Sequence, residues 1–222
     1  WVHHPNEIAQ SEGATGQKFV RYWMHGAFLV VGKLSKDDSD EDKRMGKSEG
    51  NFLRLQTLID NGYDPLAYRF MCFSAHYRAK LKFTWDAMDA AAAGYKNLQD
   101  FVARAKQIGG EEQPWVAEHR AKFRDAIADD LNMPQAMAAV NELIREADRR
   151  GEYGVLDALY DFDRVLGLKL RESAERATSV DDAIEALIKE REEARAAKNW
   201  ARADEIRKQL SDQGIALEDT PS

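Results

Sequence analysis

The sequence predicts a mostly α-helical fold, on three observations. From Asn51 to Leu210 the apolar residues recur at helical spacing over most of the chain. Pro65, Pro114 and Pro134 stand where helices would begin, and Gly62, Gly109, Gly110 and Gly151 where they would stop. One short, β-rich apolar run stands apart, residues 28–31, which reads as a buried strand or turn.

The elements follow in order. Residues 1–30 start polar and end in an aromatic run at 19–25 and the apolar run at 28–31. Residues 32–51 are polar, glycine-punctuated and dense in charge, the composition of a surface loop. Leu53, Leu55, Leu58 and Ile59 lead to the Gly62 stop. Asp64 and Pro65 open a helix that continues through Leu66, Phe70 and Phe73. Thr84 caps a helix that starts at Trp85 and ends near Lys106. Another runs from Pro114 towards Ala128, residues 129–134 form a capped turn, and helix resumes from Pro134 to Arg150. Residues 155–166 close a bundle. Residues 171–179 carry no large apolar side chain and read as a linker. Beyond them, Val180, Ile184, Leu187 and Ile188 form one stripe and Ala203, Ile206 and Leu210 a second, with Lys198 and Asn199 between: a helical hairpin. Residues 215–217 read as a short strand.

Composition narrows the function classes. No apolar run approaches the ~20 residues of a membrane-spanning helix, so no membrane partner is expected. A single cysteine, Cys72, excludes an internal disulfide and any multi-cysteine zinc site within these 222 residues, and fits a reducing cytoplasm. A net charge of −7 argues against indiscriminate binding to nucleic acid, but leaves room for a local basic patch. The chain opens on Trp1 rather than Met, inside a mixed polar stretch, as expected of a piece cut from something longer.

Three groups of residues carry possible chemistry. His3 and Glu7, spaced i, i+4, share one helix face, and imidazole with carboxylate is a common pair of zinc ligands. A pair is half a tetrahedral site, and spacing alone favours a solvated His–Glu pair. In the loop Arg44-Met45-Gly46-Lys47-Ser48, a lysine can fold over a triphosphate and neutralise developing charge. The glycine pattern of a P-loop is absent, and on composition alone the balance of nearby acids and bases favours a solvated surface loop. In the last hairpin, Arg191, Arg195, Lys198, Trp200, Arg202 and Arg207 combine cations with an aromatic ring suited to unstacked RNA bases. Interleaved acids leave a salt-bridged helix surface open as the alternative.

These stretches acquire a joint meaning through a resemblance. His3-His4-Pro5-Asn6-Glu7-Ile8-Ala9-Gln10-Ser11-Glu12 closely resembles the HHxNEIAQSE stretch of cysteinyl-tRNA synthetases. Residues 19–25 resemble that family's next block, and residues 44–52 sit where it has KMSKS followed by GNF. Tyr63-Asp64-Pro65, Ser74-Ala75-His76-Tyr77-Arg78, Asp129-Asp130-Leu131-Asn132 and residues 214–221 match as well, collinearly and over almost the whole chain.

The resemblance implies the C-terminal half of a class I aminoacyl-tRNA synthetase. Residues 1–62 would be the remnant of a Rossmann-type α/β catalytic domain with its KMSKS-like loop. Residues 63–172 would be an α-helical bundle touching the tRNA stem and anticodon arm, and 178–222 a small anticodon-binding domain built on the helical hairpin. The implied reaction is ATP-dependent activation of cysteine and its transfer to tRNA(Cys), with Mg2+ accompanying ATP and a zinc ion selecting the cysteine thiolate. His3 and Glu7 would be two of four zinc ligands, and Lys47 the catalytic ATP-contacting lysine within the loop Arg44, Met45, Gly46, Lys47 and Ser48. The first-half HIGH-like motif and the two cysteine ligands have no counterpart here. The isolated piece is therefore expected to bind tRNA, to hold little or no metal and not to catalyse alone, as part of a monomeric cytoplasmic enzyme. Arg44 and Gly46 depart from the family's Lys and Ser. Cys72, His25 and His76 are expected to pack or cap rather than ligate. Two alternatives remain from sequence: a non-catalytic helical RNA-binding or scaffold module, and a ligase joining cysteine to an amino sugar.

Overall fold

The computed structural model describes residues 3–32, 43–44, 53–197 and 199–212, with backbone alone at 43–44, 179–182 and 185. The chain opens with helix α1 (His4–Thr15), followed by strands β1 (Leu29–Val31) and β2 (Lys43–Arg44), short helices α2 (Leu55–Asp60) and α3 (Pro65–Cys72), and strand β3 (Leu81–Phe83). Six longer helices complete it: α4 (Trp85–Ile108), α5 (Val116–Ala128), α6 (Met133–Arg150), α7 (Leu156–Leu166), α8 (Leu170–Ala196) and α9 (Trp200–Asp212). Among the described residues the fold is thus mostly helical, as expected.

The strands form one small sheet in the order β2-β1-β3. β1 pairs antiparallel with β2, placing Val30 opposite Arg44, and parallel with β3, placing Leu29 opposite Leu81 and Val31 opposite Phe83. β3 was not expected. It lies beyond residue 62, so strands from both sides of that expected division pair with each other. Val31 and Phe83 are almost wholly buried. Gly32 follows β1 because its backbone passes tightly over β3: a Cβ there would fall 2.9 Å from Thr84 Cγ2.

The bundle follows the predicted stripes. Thr84 caps α4 by accepting a 3.0 Å hydrogen bond from the Ala87 N–H. α4 then buries Met88, Ala91, Tyr95, Leu98, Phe101, Val102 and Ala105, an i, i+3, i+4 series. α3 and α8 pack on α4, and α5 packs on α6. Leu143 of α6, Leu159 of α7 and Val116 of α5 are fully buried in the shared core; each such side chain contributes roughly 1.5–3 kcal/mol. Asp163 closes the turn from α7 into α8 by accepting from the N–H groups of Leu168 and Leu170 at 2.7 and 2.9 Å. Tyr95 donates to the Leu168 carbonyl at 2.8 Å, locking that turn against α4.

The linker expected at 171–179 is a correction: these residues lie inside α8. Arg, Glu and Ala are strong helix formers, and a helix leaning on α4 needs only Leu170 and Ala174 inward, both fully buried. At ~1.5 Å per residue α8 is about 40 Å long. Its start belongs to the bundle core and its end pairs with α9, whose Ala203, Ile206 and Leu210 are buried. The expected hairpin is therefore present, joined to the bundle by continuous helix. The strand expected at 215–217 lies outside the described residues.

Candidate functional site

The first candidate group sits at the start of α1. His3 is its N-cap residue, Pro5 occupies the first turn, and the Glu7 N–H donates to the His3 carbonyl at 3.0 Å. His3 and Glu7 are both exposed, one turn apart. They supply one imidazole and one carboxylate, half of a tetrahedral zinc set. Among the described residues no group of three or more metal-ligating side chains gathers, at this place or elsewhere. The donors present suit the metal but do not complete its site.

Behind them lies an aromatic cluster that sequence reading did not assemble. The His4 ring packs on Trp23 at 4.3 Å and on His25 at 4.8 Å, with Phe19 at 6.0 Å from Trp23. The Nε2 atoms of His4 and His25 are 3.1 Å apart. One Nε2 donates and the other accepts, so only one of the two carries a proton on that atom. His25 packs, as expected. Tyr22, Met24 and Phe28 are exposed beside the cluster.

Of the residues expected to form a KMSKS-like loop, Arg44 alone is described. Arg44 ends β2 opposite Val30. Met45, Gly46, Lys47 and Ser48, and the acidic stretch at 37–42 before them, lie outside the described residues.

His76, Tyr77 and Arg78 converge on Asp130, in the turn between α5 and α6. Tyr77 donates its hydroxyl to Asp130 Oδ1 at 2.7 Å, Arg78 donates Nε to Oδ2 at 2.6 Å and Nη2 to Oδ1 at 3.3 Å, and His76 Nε2 meets the Asp130 carbonyl at 3.0 Å. His76 Nδ1 accepts from the Arg78 N–H at 3.2 Å, so the ring carries its proton on Nε2. His76 thus caps its own turn, as expected. Hydrogen bonds from Arg78 and then Tyr77 hold the Asp130 carboxyl below its usual value. Cys72, at the end of α3, is partly buried, and burial pushes its thiol pKa up, consistent with a packing role.

In the hairpin, Trp200, Asp204 and Arg207 fall on one face of α9 at i, i+4 and i+7. Trp200 is 59% exposed and Arg207 is exposed. Arg191 and Arg195 are likewise one turn apart on α8. Arg202 behaves differently. It donates to Glu190 of α8 at 2.9 Å and to Glu205 at 2.7 Å, stapling the hairpin. Lys198 lies outside the described residues.

Comparison with known proteins gives these pieces a common origin. Residues 1–93 match the family described as tRNA synthetases class I (C) catalytic domain. Residues 177–222 match the family described as Cysteinyl-tRNA ligase anticodon binding domain. These two matches place the chain among the class I aminoacyl-tRNA synthetases. Cysteine–tRNA ligase 1 of Burkholderia lata is 45% identical over 222 residues, covering 99% of this chain and 44% of the relative. The cysteine–tRNA ligase of Treponema denticola is 38% identical over 249 residues, covering 98% of this chain and 48% of its own. That of Leptospira interrogans is 37% identical over 237 residues, with coverage of 98% and 48%. The chain belongs to the cysteinyl-tRNA synthetase family, and spans about half the length of the curated relatives it matches.

Proposed function

We propose that this chain is the part of a cysteine–tRNA ligase that carries the KMSKS-like loop and the tRNA-reading elements. The observation that carries the reading is the ordered pair of matches, catalytic at 1–93 and anticodon-binding at 177–222, in a chain aligned over 99% of its length with a cysteine–tRNA ligase. The anticodon-binding match disfavours the amino-sugar ligase alternative, and the catalytic match disfavours a scaffold module.

In this reading the cysteine carboxylate attacks the α-phosphate of ATP, accompanied by Mg2+, giving cysteinyl-adenylate and pyrophosphate. The aminoacyl group then passes to the terminal adenosine of tRNA(Cys). Lys47, in the segment that follows β2, places its ammonium against the departing pyrophosphate, where a preoriented cation acts most strongly. Arg44, Met45, Gly46 and Ser48 shape that loop. His3 and Glu7 would provide two donors to a zinc ion, which when bound selects a thiolate over a hydroxyl. The bundle, 63–172, lies along the tRNA, and the hairpin domain, 178–222, reads the anticodon. There Trp200 offers a stacking face, Arg191, Arg195, Lys198 and Arg207 offer cations, and Arg202 keeps the two helices in register. The parent enzyme is taken to be a cytoplasmic monomer; among the described residues no helix is long and apolar enough to cross a membrane.

Titration of the chain with tRNA(Cys) and with the same tRNA carrying a changed anticodon, at two salt concentrations, tests the reading. Preference for the native anticodon at both salts is expected. Equal binding that disappears at the higher salt means phosphate contacts alone and removes the anticodon-reading assignment.

A further inference from the structure

We propose that Asp130 is a positioning residue that clasps the helical bundle to the catalytic sheet, so that tRNA held by the bundle is presented to the active site in register. The inference rests on the ligase reading and adds a role to two segments that reading leaves idle, 74–78 and 129–132.

The geometry is specific. Three consecutive residues, His76, Tyr77 and Arg78, converge on one residue more than 50 positions later in the chain. That residue stands in a strained turn. Asp130 and Leu131 have φ of 52° and 55°, two adjacent non-glycine residues in the left-handed region. Left-handed backbone is unfavourable for a residue that carries a Cβ, so the surroundings must hold the turn in place. Its backbone is closed by the Leu131 N–H to Ile127 carbonyl and Asn132 N–H to Ala126 carbonyl bonds, at 3.2 and 3.0 Å. Leu131 is 39% exposed, so burial of its side chain does not account for the conformation.

The other side of the clasp runs straight into the sheet. The Tyr77 carbonyl accepts from the Ala27 N–H at 2.7 Å, two residues before β1. At the far end of β1, the Gly32 N–H donates to the Phe83 carbonyl at 2.9 Å. The 77–83 segment therefore grips β1 at both ends while its own start is pinned to the bundle by Asp130. β1 pairs with β2, which ends at Arg44, the first residue of the KMSKS-like motif in the sequence.

Exposure separates positioning from stability. The Arg78 and Asp130 side chains are 66% and 48% exposed, so their ion pair adds little to global folding. Bidentate geometry nevertheless fixes direction as well as distance. The sheet and the bundle share one hydrophobic core through Phe83, Leu29 and Leu81, and the clasp is suited to fixing how the one is oriented on the other.

The test uses the full-length gene product with Asp130→Asn and, separately, Arg78→Gln. Cysteine-dependent ATP–pyrophosphate exchange, which needs no tRNA, is measured beside aminoacylation of tRNA(Cys). Exchange is expected within about twofold of the parent, while kcat for aminoacylation falls about tenfold with KM for tRNA nearly unchanged, the scale of one lost charge-assisted hydrogen bond. Equal losses in both reactions would make Asp130 a structural residue and overturn the proposal, as would undiminished aminoacylation. If the unsubstituted protein shows no cysteine-dependent exchange, the ligase reading itself fails, a result distinct from either.

Discussion

His119 offers a direct test of how the bundle responds to pH. It is the one buried polar residue among those described, 7% exposed, with Nδ1 lacking a hydrogen-bond partner there. Trp115 meets its ring edge-on at 5.7 Å. Burial, and then the nearby Lys122, lower its pKa below the ordinary 6.5; Glu118 on α5 and Glu142 and Glu146 on α6 pull the other way without reversing it. The folded state therefore holds the ring neutral where the unfolded chain takes a proton. The unfolded state binds more protons once the pH drops below 6.5. This contribution is accordingly complete above that value and is lost as pH falls towards the folded-state pKa. His119→Leu removes both the unpaired nitrogen and the titration. An unsatisfied buried polar atom costs ~1–3 kcal/mol, and because branched Leu must fit a space shaped for a flat ring against Trp115 we expect the low end, about 1 kcal/mol of added stability. For a chain of this size that raises the thermal midpoint by about 2–4 °C. Melts followed by circular dichroism near pH 8 should show this gain, and near pH 5.5 a larger one. Glu146, held down to about 2 by Arg149 and Arg150, stays ionised throughout and does not confuse the comparison. A variant less stable than the parent near pH 8, or a gain that does not grow on the acid side, refutes the reasoning.

Gly154→Ala should be severely destabilising, since a Cβ there would overlap the Glu111 carbonyl and stand 2.9 Å from the Glu112 nitrogen; a loss of about 3 kcal/mol in urea unfolding is expected. Ala174→Pro separates a continuous α8 from a linker: inside a helix it costs roughly 3 kcal/mol and lowers helical ellipticity, whereas in a linker both would be nearly unchanged. Trp200→Ala removes a half-exposed ring. It should leave the fold intact and weaken tRNA(Cys) binding about tenfold, equally at low and high salt, whereas the loss from Arg207→Gln should shrink as salt rises.

Much of the bundle was legible because its signals are local. Thr84 and Asn132 cap the helices their positions announce, and Gly109 and Gly151 end them with positive φ. The α9 stripe of Ala203, Ile206 and Leu210 is read from spacing alone. Two elements were misread for opposite reasons. The 171–179 segment lacks large apolar groups, so its pattern suggests solvent. Yet a helix pressed close to α4 wants a small residue at the contact, and Ala174 serves. β3 is only three residues long, too short for period-two alternation to stand out beside the helices that flank it.

The site was legible as types of chemistry and illegible as partnerships. His3 and Glu7 are paired by helical spacing, a constraint written within five residues. No comparable rule links Asp130 to residues 76–78, or Arg202 to Glu190 across a hairpin. Each is an interaction between charged groups that composition shows only as balanced charge. Arg202 illustrates the consequence. Read in sequence it is one more cation beside Trp200, interchangeable with Arg207. In the fold its guanidinium is engaged by two carboxylates, so displacing it towards a phosphate would break two ion pairs for each contact made. A basic residue's availability for RNA is therefore set by the acids its helix partners bring to it. The same holds for the turn at Asp130. Left-handed backbone at Asp130 and Leu131 has no glycine to announce it, and becomes intelligible only once Tyr77 and Arg78 are seen gripping the carboxylate.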